Sequence, residues 1–107
     1  MMSRLITGKI FYYPIGMDAP ALYFYEVVRA TTNTCDVVTL AKNIVSQTEK
    51  YQYVEPDITR RGVRIRCKVL SCERIQMKSG EIAVLWDGKP LQQLIQIYML
   101  GLGAWQN

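Results

Sequence analysis

The chain has 107 residues, thirteen Lys and Arg against nine Asp and Glu, and no histidine. That length holds one domain with a modest core, and the 50% hydrophobic and 21% charged shares are those of a folding chain. The missing histidine excludes Ser-His and Cys-His nucleophiles, imidazole metal ligation and the commonest general base at neutral pH.

In chain order, residues 6–13 read as a first strand ended by Pro14. Residues 14–20, with Pro14, Gly16 and Pro20, read as a loop. A strand rich in Tyr, Phe and Val follows over residues 22–30. Leu22, Phe24, Glu26 and Val28 share one parity, and Tyr23, Tyr25, Val27 and Arg29 the other. Neither face is cleanly polar, which predicts a central strand covered on both sides. Thr31-Thr32-Asn33-Thr34 is a polar turn into a strand over 35–40, so this pair reads as a hairpin.

Residues 41–48 fit a strand or a helical face, and strand is the preferred reading. Residues 51–57 are extended and run through Pro56 and Asp57 into a basic strand, which residues 71–76 are expected to continue past a bulge. Lys78-Ser79-Gly80-Glu81 is a turn, and the strand over 82–86 ends at Asp87-Gly88. Leu91, Leu94, Ile95 and Tyr98 lie at helical spacing, so a helix over 91–100, opened by Pro90 and closed by Gly101 or Gly103, is the preferred reading, with a strand as the alternative. With no internal repeat or linker, residues 1–107 form one β-rich domain. The fold class expected is mainly β, a small antiparallel sheet or half-open β-barrel with one short helix near the C-terminus.

Three cysteines, Cys35, Cys67 and Cys72, show no CxxC spacing. They are expected as thiols, with Cys67 buried as a small hydrophobe, and an intermolecular disulfide is the alternative. No apolar run approaches the ~18 residues that cross a membrane, and residues 1–9 lack the pattern of a signal peptide. A cytoplasmic protein is the expectation.

Charge is distributed unevenly. Five of the thirteen cations fall between positions 60 and 68, with no acid among them, so the rest of the chain sums to −1 and the formal +4 comes from this segment. In a regular strand Arg60, Arg64, Arg66 and Lys68 share one face, and Val63, Ile65, Cys67 and Val69 the other. Same-face residues repeat every ~6.6 Å, so Arg64, Arg66 and Lys68 span about 13 Å, enough to follow several phosphates or an acidic groove. The competing reading is a solvated face whose arginines pair with cross-strand carboxylates such as Glu26 or Glu73.

Aromatic residues form a second candidate. Phe11, Tyr12, Tyr13, Tyr23, Phe24 and Tyr25 crowd two neighbouring strands, and tyrosines beside arginines can stack on bases. Phe11 and Phe24 are expected in the core, with one or two of Tyr12, Tyr23 and Tyr25 exposed. Asp18, Asp57 and Asp87 sit in loops with Gly or Pro and read first as turn-forming residues, with a catalytic acid pair as the alternative. No nucleophile–base pair, phosphate loop or metal spacing emerges, so no catalytic residue, metal or cofactor is assigned.

Two segments resemble known sequences. Trp86-Asp87-Gly88-Lys89-Pro90 resembles a signature near the C-terminus of small uncharacterised bacteriophage proteins. Those proteins also carry an early "WGYDQTNxxFY"-like segment, which Gly16, Asp18, Phe24 and Tyr25 match here. Ile15, Met17, Ala19, Pro20 and Ala21 depart from it. The resemblance implies a context: a small, intracellular phage or prophage accessory protein. With the small size, the missing histidine and the isolated basic stripe, the expectation is a protein that acts by binding: an anti-defence inhibitor, of the anti-CRISPR kind, aimed at a bacterial immune protein or nucleoprotein complex. A direct DNA- or RNA-binding module and an oligomeric sponge for a nucleotide messenger are the alternatives. Trp105 and the apolar residues 91–102 would suit a homo-oligomer interface. The candidate binding residues are Arg60, Arg61, Arg64, Arg66, Lys68, Tyr12, Tyr23, Tyr25, Asp18, Trp86 and Lys89.

Overall fold

Short runs of β-branched and aromatic residues, interrupted by Gly, Pro and Asn, favour pleated strands that bury at least one face. A computed structural model describes residues 7–14 and 22–95. It has seven strands: β1 Ile10–Tyr13, β2 Tyr23–Ala30, β3 Thr34–Gln47, β4 Tyr51–Ser71, β5 Arg74–Gln76, β6 Ile82–Leu85 and β7 Leu91–Leu94. All pair antiparallel, in the order β3-β2-β1-β6-β5-β4-β7, and β3 also pairs with β4. That extra pairing closes six strands into a ring and removes their free edges. Among the described residues no helix is long and apolar enough to cross a membrane.

The ring is filled by the first of two apolar clusters. Phe11, Tyr25, Val27, Cys35, Val37, Cys67, Ile75, Met77 and Ala83 are buried together, with Ile65, Val69 and Leu85 against them. A second cluster lies outside the ring: Leu22, Phe24, Leu40 and Val54, covered by Ile10, Tyr12, Val38, Trp86 and Leu91. β2 therefore packs on both faces, as its mixed alternation predicts. Phe11 at 0% and Phe24 at 1% exposure anchor one cluster each, and burying such a side chain contributes about 1.5–3 kcal/mol.

Strand lengths depart from the sequence reading. Residues 35–40 and 41–47 form one strand, β3, and residues 51–57 run on into the basic segment as one 21-residue strand, β4. Beyond Leu40, β3 leaves β2 and pairs with β4 alone, from Ala41↔Asp57 to Gln47↔Gln52. The two strands project as an arm, and the molecule measures 55 × 26 × 24 Å. Residues 71–76 do not continue the basic strand: the chain reverses at Cys72-Glu73, and β5 pairs back along β4 through Lys68↔Gln76 and Val69↔Ile75.

The helix expected from Leu91 is also corrected. Residues 91–94 are a strand paired with the start of β4, Tyr51↔Leu94 to Val54↔Leu91, and Ile95 N–H continues the ladder to Lys50 C=O at 3.1 Å. The physical reason is that β4 offers unpaired backbone groups along this edge, and the buried Gln93 works only from a strand. Its Oε1 accepts from Leu22 N–H at 3.0 Å and Lys42 Nζ at 2.9 Å, and its Nε2 donates to Gln52 Oε1 at 3.2 Å. The remainder of the expected helix, with Tyr98, Trp105 and the oligomer interface built on them, lies outside the described residues.

Candidate functional site: a cationic wall

Irregularities in β4 decide where its cations point. Leu40↔Arg61 is followed on β3 by Ala41↔Asp57, so residues 58–60 form an excursion with no partner on β3. Asp57 holds it: Oδ1 accepts from Thr59 N–H at 2.9 Å and Thr59 Oγ1 at 2.5 Å, and Oδ2 from Arg60 Nε at 2.7 Å. Those bonds lower the Asp57 carboxyl pKa to about 2. Arg60 Nη2 also donates to Lys42 C=O and Asn43 Oδ1, which ties the excursion to the arm.

A second irregularity sits one step on. Leu40↔Arg61 and Val38↔Arg64 leave Thr39 alone opposite Gly62 and Val63, a bulge with one extra residue on β4. A β-carbon at Gly62 would collide with Thr39 Oγ1, so any larger residue there needs the Thr39 side chain to turn away. The bulge changes the phase of the alternation. Arg61 and Arg64, three apart, both face outward, each bonded to a carboxylate on the outer face. The expected stripe of Arg60, Arg64, Arg66 and Lys68 is thus corrected: Arg61 replaces Arg60, which belongs to the excursion, and Val63 is 66% exposed instead of sharing the inner face.

The carboxylates come from distant strands. Arg61 bonds Glu26 on β2. Asp36 on β3, 6% exposed, is shared: Arg64 Nη2 reaches Oδ2 and Arg66 Nε reaches Oδ1, both at 2.9 Å. The hydrogen bonds from Arg66 and Arg64 hold the Asp36 carboxyl below the usual carboxylate range, and Asp36 in turn raises the Arg66 guanidinium. Cross-strand pairing was the competing reading, with Glu26 or Glu73 named for it; Glu26 pairs, Glu73 has no ion pair among the described residues, and Asp36, the central acid, was not named. It is hidden in the sequence because only the β3–β4 register, Asp36↔Arg66, shows the meeting.

Other cations on this wall have no ion pair among the described residues. Arg29 stands opposite Asp36 from the β2 side, Lys68 follows Arg66, and Arg74 on β5 pairs with Ser71 and Val84 in register. All three are exposed. The outward strand positions thus hold six cations, Arg29, Arg61, Arg64, Arg66, Lys68 and Arg74, against two carboxylates, Glu26 and Asp36. The formal +4 of the whole chain equals the charge of this one wall. Arg29 and Arg74 were missed because each is isolated in sequence; parity within β5 was the available signal for Arg74, whereas parity within β2 groups Arg29 with the inward Tyr25 and Val27, and only the register shift between Val27 and Arg29 turns it outward.

The aromatic candidates do not gather there. Tyr25 is buried inside the ring, and burial raises its phenol pKa to about 12, which removes it from the surface set. Tyr23 is 53% exposed and pairs with Tyr13, whose phenol is pushed up first by its hydrogen bond to Glu81. Tyr12 is half-buried in the outer cluster. No row of tyrosines alternates with the arginines, so the base-stacking platform considered from sequence is absent among the described residues.

Trp86 and Lys89 form a turn. Trp86 meets Phe24 edge-on, with ring centroids 6.0 Å apart and planes at 75°, and its Nε1–H donates to Lys89 C=O at 2.8 Å. Asp87 Oδ1 accepts from Lys89 N–H at 3.0 Å, and Gly88 has φ +90°, a conformation glycine adopts without strain. Asp87 is therefore a turn-forming residue, as expected; Asp57 makes the expected bond to a nearby backbone N–H, but from within β4, paired with Ala41, and not from a loop. The Lys89 side chain projects from an exposed backbone. Asp18 lies outside the described residues.

Cys35 and Cys67 face each other across β3 and β4 inside the ring as free thiols, and Cys67 Sγ lies 3.6 Å from Met77 Sδ. The bond to Cys67 and burial push the Cys35 thiol up. Among the described residues no three of His, Cys, Asp and Glu gather as a metal site. Comparison of the chain with family models, curated proteins and solved structures gave no match.

Proposed function

We propose that this protein works by binding, as a phage-type anti-defence protein whose cationic wall occupies an anionic surface of a bacterial immune protein or nucleoprotein complex. The observation that carries the reading is the gathering of six outward cations against two carboxylates on the neighbouring strands β2 to β5. A charged wall of this kind steers association and sets partner choice more than it sets affinity. The resemblance of Trp86-Asp87-Gly88-Lys89-Pro90 to a phage signature supplies the biological setting, and such a role is exercised in the bacterial cytoplasm.

Within the wall, the cations without an ion pair among the described residues are Arg29, Lys68 and Arg74, whereas Arg61, Arg64 and Arg66 each bond Glu26 or Asp36 with part of the guanidinium. The test is a Lys68→Glu/Arg74→Glu variant assayed for capture of purified immune complexes and for protection of phage in a defended host. Loss of both activities with an unchanged melting temperature is the expected result. Retention of both would refute the reading.

Direct nucleic-acid binding is the second reading, favoured by the same three unpaired cations. It predicts affinity for oligonucleotides that falls steeply with salt, because each neutralised phosphate releases counterion. The absence of a tyrosine platform beside the arginines ranks it lower.

A further inference from the structure

At one end of the wall the β2–β3 turn and the outward arginines enclose a cleft of about 90 Å³, lined by Arg29, Thr31, Thr34, Cys35, Asp36 and Arg66. The cleft is small and partly open to solvent, which suits an oxyanion group seated among its donors. We infer that this cleft is a seat for a phosphoryl group, gripped by Arg29 and Arg66 with the Thr31–Thr34 turn at its side. The inference rests on the proposed use of the wall and adds the chemistry of the group it recognises.

The donors are arranged for this. Arg66 spends its Nε on Asp36, and its two terminal nitrogens have no partner among the described residues. Asp36 thus fixes the guanidinium and leaves its outer edge available, which lowers the ordering cost of forming a forked bond. Arg29 has no hydrogen bond among the described residues and approaches Asp36 from the other strand, so the two arginines flank the cleft one strand-width to each side. Arginine forks fit phosphate oxygens in pairs.

The turn contributes hydroxyls held in place. Thr31 Oγ1 lies 3.0 Å from Thr34 Oγ1, accepts from Thr34 N–H at 3.1 Å and lies 3.1 Å from Thr34 C=O. When the Thr31 hydroxyl donates within the turn, the Thr34 hydroxyl is left to donate into the cleft. Asp36 is the one unfavourable group, but both of its oxygens already accept from arginine. Lys68, directly opposite Thr34, adds a further cation at the rim.

The experiment is titration of the intact chain with inorganic phosphate, a nucleoside monophosphate and a single-stranded oligonucleotide, followed by NMR and calorimetry. Saturable shifts of the Thr31 and Thr34 amides are expected, with affinity about tenfold or more weaker in Arg29→Ala and changed less than twofold in Arg74→Ala. Because Arg29 is exposed and has no ion pair, Arg29→Ala should melt with the parent. Equal affinity for phosphate and the monophosphate would assign the seat to free phosphate groups; tighter, salt-sensitive binding of the oligonucleotide would assign it to a nucleic-acid backbone. Unmoved threonine amides, or equal losses in Arg29→Ala and Arg74→Ala, would overturn the inference. If Lys68→Glu/Arg74→Glu still abolishes partner capture in that case, the wall stands and only the cleft fails.

Discussion

Arg64 and Arg66 sit on the same wall as Lys68 and Arg74, yet the two pairs do different work. The first pair shares the buried Asp36 and holds β3 to β4. The second pair has no carboxylate among the described residues and faces solvent. A dense charge run is therefore not a map of available charge. Apart from Asp57, which pairs with Arg60 three positions on, the acids that neutralise the run lie 28 to 35 positions away, and part of the available charge lies outside the run altogether.

The widest separation between the two pairs is expected from charge reversal. Arg64→Glu/Arg66→Glu surrounds Asp36 with two further carboxylates, and calorimetry should show a melting temperature lower by roughly 10 °C. Lys68→Glu/Arg74→Glu should shift it by less than about 3 °C. Equal losses in the two variants would erase the distinction.

A smaller effect tests the bulge that aligns Arg61 with Arg64. Gly62→Ala should destabilise by about 1 kcal/mol, and adding Thr39→Ala, which removes the colliding hydroxyl, should restore part of it in a double-mutant cycle read by urea unfolding. Additive losses would place the constraint elsewhere.

Acid titration gives a third contrast. Asp57 has its folded pKa lowered to about 2 from 3.8, and Asp36 is lowered too. A depressed carboxyl contributes stability that is fully present above its unfolded pKa and is lost as pH falls through its folded value. Melting temperature should hold above about pH 4 and fall between pH 4 and 2. Asp57→Asn should flatten that fall. Least visible is Tyr25: with its pKa near 12, an ultraviolet titration of the folded chain should show a phenol that ionises well above the ordinary value of about 10, a step that Tyr25→Phe should remove.

Much of the architecture was readable because inward positions keep a period of two over short stretches. Ile65, Cys67 and Val69 inside, with Arg64, Arg66 and Lys68 outside, is one such stretch, and the double-sided burial of β2 is another. Phe11 and Phe24 stood out as core for the same reason, and Asp87 as a turn former from local chemistry alone. The strand at Leu91 was not readable, since Leu91, Leu94 and Ile95 fit a helix locally and only the unpaired edge of β4 and the Gln93 network settle the matter. Asp36 and Arg29 were equally hidden. Neither has a local pattern to mark it, and their meeting with Arg66 exists only in the register of three strands. The candidate site was thus half legible: its charge was visible, its neutralisation was not.

Val63, the extra residue at the bulge, acts as a frameshift in a two-letter code of inside and outside. Upstream of it the outward frame is carried by Arg61, downstream by Arg64 and Arg66, and the bulge absorbs the added residue so that both stay on the wall. Deleting Val63 would leave Leu40↔Arg61, Thr39↔Gly62 and Val38↔Arg64 in plain one-to-one register, with Arg61, Arg64 and Arg66 still facing outward. The letter at position 63 is one the bulge swallows, and the message on either side of it survives its removal.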